Sequence, residues 1–181
     1  MEQLNFKGPF PLFGKGSILK DSEVIEGIYL WTVLVGEVYK IHYVGSSNNI
    51  IRRLRDEVNN VITLRWTAYD PIKIKTGCLD AIFTPDGTAN SDYVRRYFQN
   101  PIKVLDSHFE YLKACEIFHA TPKDNKLKLK DIEHRCIYDA RAEKCSGKFL
   151  DNTSPSGKNR PNELQIAYNF TKGNVNLVSR G

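Results

Sequence analysis

Two stretches decide the fold: GIYLWTVL at Gly27 to Leu34, and VYKIHYVG at Val38 to Gly45. Both are rich in β-branched and aromatic residues, and only Val35, Gly36 and Glu37 separate them, which is the pattern of a β-hairpin. A three-residue connection would set Leu34 against Val38 and Tyr29 directly opposite Tyr43, so that two phenols share one sheet face with Cβ atoms about 4.5 to 5.5 Å apart. A two-residue connection would put Val44 opposite Tyr29 and separate the phenols.

The text changes directly after the hairpin. Ser46 to Asn49 offer N-cap side chains, and Ile50, Ile51, Leu54 and Val58 recur at helical spacing, which predicts a short amphipathic helix with Arg52, Arg55 and Asp56 on its polar side. Gly45 lets the chain turn at once into this helix. That brings Arg53, at the border of the apolar stripe, toward the strand ends, where its guanidinium can present a bidentate fork to a phosphate.

Outward from this centre the signals weaken. The first residues carry Gly and Pro (KGPFPLFGKG) and read as an irregular arm over 1–26, anchored by Phe6, Phe10, Leu12 and Phe13. Residues 59–108 read as one insertion, with ITLRWTAY and PIKIK as short strands, PDGT as a turn and SDYVRRYF as a helix capped by Ser91. YLKACEIFHA reads as a further strand of the main sheet. LKLKDIEHRCIYDA reads as a helix with Leu129, Ile132, Cys136, Ile137 and Ala140 on one face. From Lys144 onward Asn, Ser, Gly and Pro dominate, with one late strand-like run.

Composition bounds the function. The 181 residues, 41% of them hydrophobic, suffice for one core, so a single domain over 1–181 is expected. No apolar run approaches the roughly 20 residues needed to span a bilayer, and the expectation is a soluble, cytoplasmic chain without membrane contact. The four cysteines lack a Cys-x-x-Cys pair, which argues for reduced thiols rather than a zinc knuckle, with a Cys136–Cys145 bridge as the alternative. A net charge of +5 and a pI near 9.0 suit a polyanionic partner, because Lys and Arg set against phosphates release condensed counterions.

Gly27-Ile28-Tyr29, then Tyr43-Val44-Gly45, then Arg53 ahead of Leu54, resembles the signature of the GIY-YIG nuclease superfamily. The resemblance extends to Glu133 in DIEHRCIY and Asn152 in FLDNTSPSG, and covers about 27–58 and 109–155. It implies a small, mostly antiparallel three-stranded α/β sheet flanked by helices. It further implies phosphodiester hydrolysis with one Mg²⁺ or Mn²⁺ held by Glu133, Arg53 neutralising the phosphoryl oxygens, and Asn152 positioning the site.

In that scheme Tyr29 takes the proton from water and Tyr43 assists, though the sequence alone does not separate the two phenols. A free tyrosine titrates near 10, so the metal, Arg53 and Lys40 or His42 would have to favour the phenolate. Many members carry a His one helical turn after the Arg, where this chain has Glu57.

Each residue also has an ordinary reading. Arg53 can pair with Glu57 at i, i+4, Glu133 can pair with Lys130, and Asn152 can sit in a turn. Arg65, Trp66, Tyr69, Lys73, Lys75, Arg95, Arg96 and Tyr97 can either track DNA or form a solvated face over core aromatics. The expected partner is double-stranded DNA, contacted also through Arg52 and Arg55. A compact restriction-type enzyme, dimeric on a palindromic site, fits better than a homing enzyme, with a stand-alone repair or junction nuclease as the alternative. The competing class is a DNA-binding protein that keeps the fold without cleaving.

Overall fold

The computed structural model of the chain describes residues 2–84, 95, 97–123, 128–141, 150 and 164–177. Strands β2 (Gly27–Val35) and β3 (Val38–Ser47) form the expected hairpin, but its register differs from the expected one in two places. The turn is two residues, Gly36 and Glu37, because Val35 pairs with Val38. Further on, His42 is an extra residue in β3, since Thr32 pairs with Ile41 while Trp31 pairs with Tyr43.

Tyr29 therefore lies opposite Gly45 rather than opposite Tyr43. The two departures cancel in parity: the short turn alone would turn Tyr43 to the far face, and the bulge returns it to the face of Tyr29 and Trp31.

The mixed α/β class is as expected, but among the described residues the main sheet has five strands rather than three, in the order β3, β2, β6 (Cys115–Ala120), β1 (Glu2–Pro11) and β7 (Ile166–Phe170). The strand β6 (Cys115–Ala120) pairs antiparallel with β2. The supposed irregular arm contains a full strand, β1 (Glu2–Pro11), which pairs antiparallel with β6 and parallel with β7 (Ile166–Phe170). Its alternation is plain: Leu4 and Phe6 are buried while Gln3, Asn5 and Lys7 are exposed.

The middle of the chain also departs from expectation. Helix α1 (Ile50–Ile62), capped by the Asn49 side chain on the Arg52 amide, continues into the stretch expected to begin a strand. A two-residue strand β4 (Ala68–Tyr69) pairs with β5 (Ala81–Phe83), and between them PIKIK is a helix, α2 (Pro71–Lys75). The reason is capping: Asp70 accepts from the Ile72 and Lys73 amides, and Pro71 fits the first turn, which overrides the strand-like alternation. Likewise Tyr111 to Ala114 close helix α3 (Pro101–Ala114), so only the second half of YLKACEIFHA is strand.

The sheet separates two cores. On one face Tyr29, Trp31, Val33 and Ile117 pack against Ile50, Leu54 and Val58 of α1 and Leu112 of α3. On the other, Leu4, Ile28, Leu30, Val44 and Phe118 pack against Ile132, Cys136, Ile137 and Ala140 of α4 (Leu129–Ala140). Full burial of each such side chain contributes about 1.5–3 kcal/mol before entropy is set against it. Helices α1 and α4 thus lie on opposite faces, and both meet the hairpin.

Cys78, Cys115 and Cys136 are free thiols, and burial pushes the latter two up to about 12. Cys145 lies outside the described residues. Among those residues no helix is long and apolar enough to cross a membrane.

Candidate active site

The glycines of the two motif blocks are explained by close approach. A Cβ on Gly45 would stand 2.4 Å from both Cζ and Oη of Tyr29, so the phenol ring lies on the bare backbone of its cross-strand neighbour. A Cβ on Gly27 would come within 2.1 Å of the Ala120 carbonyl, so the entry to β2 needs glycine where it meets β6. Laid over Gly45, the Tyr29 ring reaches the underside of α1.

There the phenol meets Glu57. Tyr29 Oη donates to Glu57 Oε1 at 2.5 Å, Arg53 Nε donates to the same oxygen at 2.9 Å, and Trp31 Nε1 donates to Oε2 at 3.1 Å. The i, i+4 pairing of Arg53 with Glu57 is therefore present, but it is no surface pair: the Glu57 side chain is 0% exposed and that of Arg53 is 42% exposed. The Tyr29 and Tyr43 ring centroids are 6.3 Å apart, Tyr43 and Trp66 are 5.7 Å apart, and the guanidinium carbon of Arg53 is 5.7 Å from the Trp66 ring centre. Two phenols, a guanidinium, two indoles and a buried carboxylate thus form one cluster.

Its electrostatics run against a phenolate. Burial, then the charges of Glu57 and Tyr43, hold Tyr29 well above the ordinary tyrosine range. Burial and Glu57 also push Tyr43 up to about 12, against the lowering effect of Arg53. The same burial lifts Glu57 from 4.5 to about 7, although its bonds from Tyr29, Arg53 and Trp31 favour the charged form. Arg53 is held in its charged state by Tyr29 and Glu57 despite partial burial.

Lys40 and His42, expected to assist the phenols, point elsewhere. Lys40 lies toward Gly77, and His42 Nε2 sits 2.8 Å from Tyr111 Oη with the Tyr69 ring edge-on at 5.0 Å.

Glu133 is on α4, across the sheet from α1. Its Oε2 accepts from the Ser46 hydroxyl and from Lys130 Nζ, the latter at 2.7 Å. Gly45 and Ser46 are adjacent and face opposite ways, so Glu133 approaches the same strand end from behind, and its charge acts on Tyr43. Among the described residues no three His, Cys, Asp or Glu side chains form a ligand cluster. The donor chemistry at Glu133 still fits one hard cation that keeps most of its waters, because an ammonium already stands against the carboxylate. The Lys130 side chain is 68% exposed and can withdraw without disturbing packing.

The other expected contacts divide. Arg52 is exposed on α1. Arg55 instead donates to the carbonyls of Leu19 and Asp21, strapping down the short 3-10 turn Ile18–Lys20. Arg95 is exposed, while Arg96 and Asn152 lie outside the described residues. Tyr69 is a core aromatic, Lys73 pairs with Asp80, and Trp66 belongs to the site cluster.

Two site residues carried no decisive signal in the sequence. Glu57 was visible as an ion-pair partner one turn beyond Arg53 and as the residue at the position where the resembled family often has a His, but neither signal marked it as a buried acceptor for Tyr29. Trp66 was one aromatic among several, and what places it is the reversal after α1, where Leu64 adopts φ 62° and the amides of Arg65 and Trp66 both bond to the Asn60 carbonyl. Comparison of the chain with family models, with curated proteins and with solved structures finds no match.

Proposed function

We propose that the chain is a metal-dependent DNA endonuclease of the GIY-YIG kind. The observation that carries this reading is the convergence of Tyr29, Tyr43 and Arg53 on one sheet face, beside a strand end that Glu133 approaches from the other. Hydrolysis of a phosphodiester needs a deprotonated water, charge stabilisation at the phosphoryl oxygens and relief of charge on the departing 3′ oxygen.

Arg53 suits the second need. Its Nε is engaged by Glu57, which fixes the plane of the guanidinium, and the partly exposed remainder can take a phosphoryl oxygen. Trp66 beside it limits its swing and lowers the local dielectric. Tyr43, partly exposed, can donate to the substrate. Glu133 would hold Mg²⁺ or Mn²⁺, which when bound would offset charge on the phosphoryl and leaving oxygens. Arg52 and the net positive charge would add sequence-independent attraction to the DNA backbone.

Within this class we favour a restriction-type enzyme acting as a homodimer on double-stranded DNA, with the 59–108 region adding contacts, over a homing, repair or junction nuclease. One observation favours the non-catalytic DNA-binding reading instead: Tyr29 is only 1% exposed, and its hydroxyl is spent on Glu57.

Supercoiled plasmid incubated with and without Mg²⁺ separates the two. Nicking that requires the metal and disappears in Glu133→Ala and Arg53→Ala is the expected result. A metal-independent gel shift with intact plasmid would refute the enzyme and leave the binder. Sequencing the ends of digested genomic DNA tests site specificity, and unrelated end sequences would exclude the restriction-type reading.

A further inference from the structure

We propose that Glu57 is the proton acceptor of this site and Tyr29 a relay, so that the tyrosine never stands as a phenolate base. The inference rests on the nuclease reading above and names which group holds the proton. It begins from three donors directed at one sealed carboxylate: Tyr29 Oη at 2.5 Å, Arg53 Nε at 2.9 Å and Trp31 Nε1 at 3.1 Å.

A tyrosine can remove a proton from water in two ways. As a standing phenolate it must carry negative charge in the resting enzyme, and here it would do so buried, with a carboxylate oxygen 2.5 Å away. Burial and the Glu57 charge both oppose that state. As a relay the phenol accepts one proton while releasing another, and no charge accumulates on it. The Tyr29 hydroxyl already points its proton at Glu57 Oε1, which is the outgoing half of a relay; with Tyr29 only 1% exposed, the incoming half requires the attacking water to be brought against Oη together with the substrate.

The transfer balances. An O–H bond of the attacking water breaks, and its proton goes to Tyr29 Oη; the Tyr29 O–H bond breaks, and that proton goes to Glu57 Oε1. The electron pair left on the water oxygen forms the new bond to phosphorus, and the P–O3′ bond breaks with its pair leaving on the 3′ oxygen, which takes a proton from solvent. Afterwards Glu57 returns its proton through Tyr29 to bulk water.

Arg53 links this transfer to the substrate. Its Nε shares Oε1 with Tyr29, so protonation of that oxygen weakens the hold on the guanidinium. The positive charge then becomes available to the phosphoryl oxygens as negative charge builds on them. Trp31 stays on Oε2 throughout and keeps the carboxyl plane fixed. The groups that act on Glu57 are Tyr29 from β2, Tyr43 from β3 and Arg53 from its own helix, with Trp31 as the uncharged donor.

The test is single-turnover cleavage of a DNA substrate by the full chain in Mg²⁺, from about pH 5 to about pH 9, with affinity followed separately by gel shift in Ca²⁺. Wild type should lose rate about tenfold per pH unit below the Glu57 titration. Glu57→Gln should cut at a rate lower by on the order of 10² or more, a loss far larger than any change in its DNA affinity, and lack this acidic limb. Glu57→Asp should restore the limb at a displaced pH. Tyr29→Phe should match the loss in rate while Glu57 still titrates by carbon NMR, displaced upward because the phenol no longer donates to the carboxylate.

Retention of the acidic limb in Glu57→Gln, or a loss confined to affinity, would overturn the relay while leaving the nuclease reading intact. Should Glu57→Gln fail to fold by circular dichroism, Tyr29→Phe decides alone, and wild-type cleavage in that variant rejects the proposal. Wild type that binds but never cuts, at any pH, rejects the nuclease reading itself.

Discussion

Replacing Glu57 with Gln should change how stability depends on pH, whatever it does to activity. Glu57 is fully buried, and the fold raises its carboxyl from 4.5 to about 7. Between those values the folded chain keeps a proton that the unfolded chain has released. The associated stability is fully present below the unfolded value and is lost as pH rises through the folded one. At 1.36 kcal/mol per pH unit, the rise from 4.5 to about 7 amounts to about 3 kcal/mol, a sizeable share of the roughly 5–15 kcal/mol of an ordinary domain.

The variant does not titrate at this position, and the contributions of other carboxylates largely cancel when the two proteins are compared at each pH. Wild-type stability minus that of Glu57→Gln should therefore fall by about 3 kcal/mol between about pH 4 and about pH 8. Urea unfolding at stepped pH measures it, and Trp31, bonded to Glu57 Oε2, provides a fluorescence reporter at the site. A flat difference would refute the reasoning. A difference that grows with pH would show that Arg53, Tyr29 and Trp31 outweigh burial and hold the carboxylate charged.

Other changes have defined outcomes. Gly45→Ala drives a methyl into the buried Tyr29 ring and should cost about 1–3 kcal/mol in denaturant unfolding, with greater exposure of the phenol in ultraviolet difference spectra. Leu64→Gly should raise the unfolding midpoint by an amount equivalent to about 1 kcal/mol, because φ 62° strains a leucine; an unchanged midpoint would mean that leucine packing offsets the strain. Trp66→Ala removes the ring beside Arg53 and should weaken DNA binding about two- to fivefold in gel shifts, corresponding to about 0.5–1 kcal/mol. Arg135→Ala leaves the fully buried Asp139 with Tyr168 but without its guanidinium, and a loss of about 3–5 kcal/mol is expected in thermal or urea unfolding.

What could be read from the chain followed the range of the interactions responsible. The hairpin, α1 and α4 are governed by neighbours within a few residues, and their glycines, caps and apolar spacing stand in the text. Strand β1 was hidden because Gly8, Pro9 and Pro11 read as a loop, and because its parallel partner Ile166–Phe170 lies at the other end of the sequence. In PIKIK two local signals conflicted, and the Asp70 cap prevailed over alternation. At the site, the triplets around Tyr29 and Tyr43 and the placement of Arg53 identified the cluster. The depth of Glu57 did not show, since pairing at i, i+4 looks the same on a wet helix face as beneath a sheet. The bulge at His42 was equally silent, because nothing local distinguishes an extra strand residue from an ordinary one.

The end of β3 has a further implication for how this protein could be blocked. The strand lies at the rim of the sheet, where Tyr39 bridges to Val175. At Gly45 and Ser46 a single step of backbone separates the Tyr29 phenol from the Glu133 carboxylate, so bulk introduced at that step would disturb both sides together.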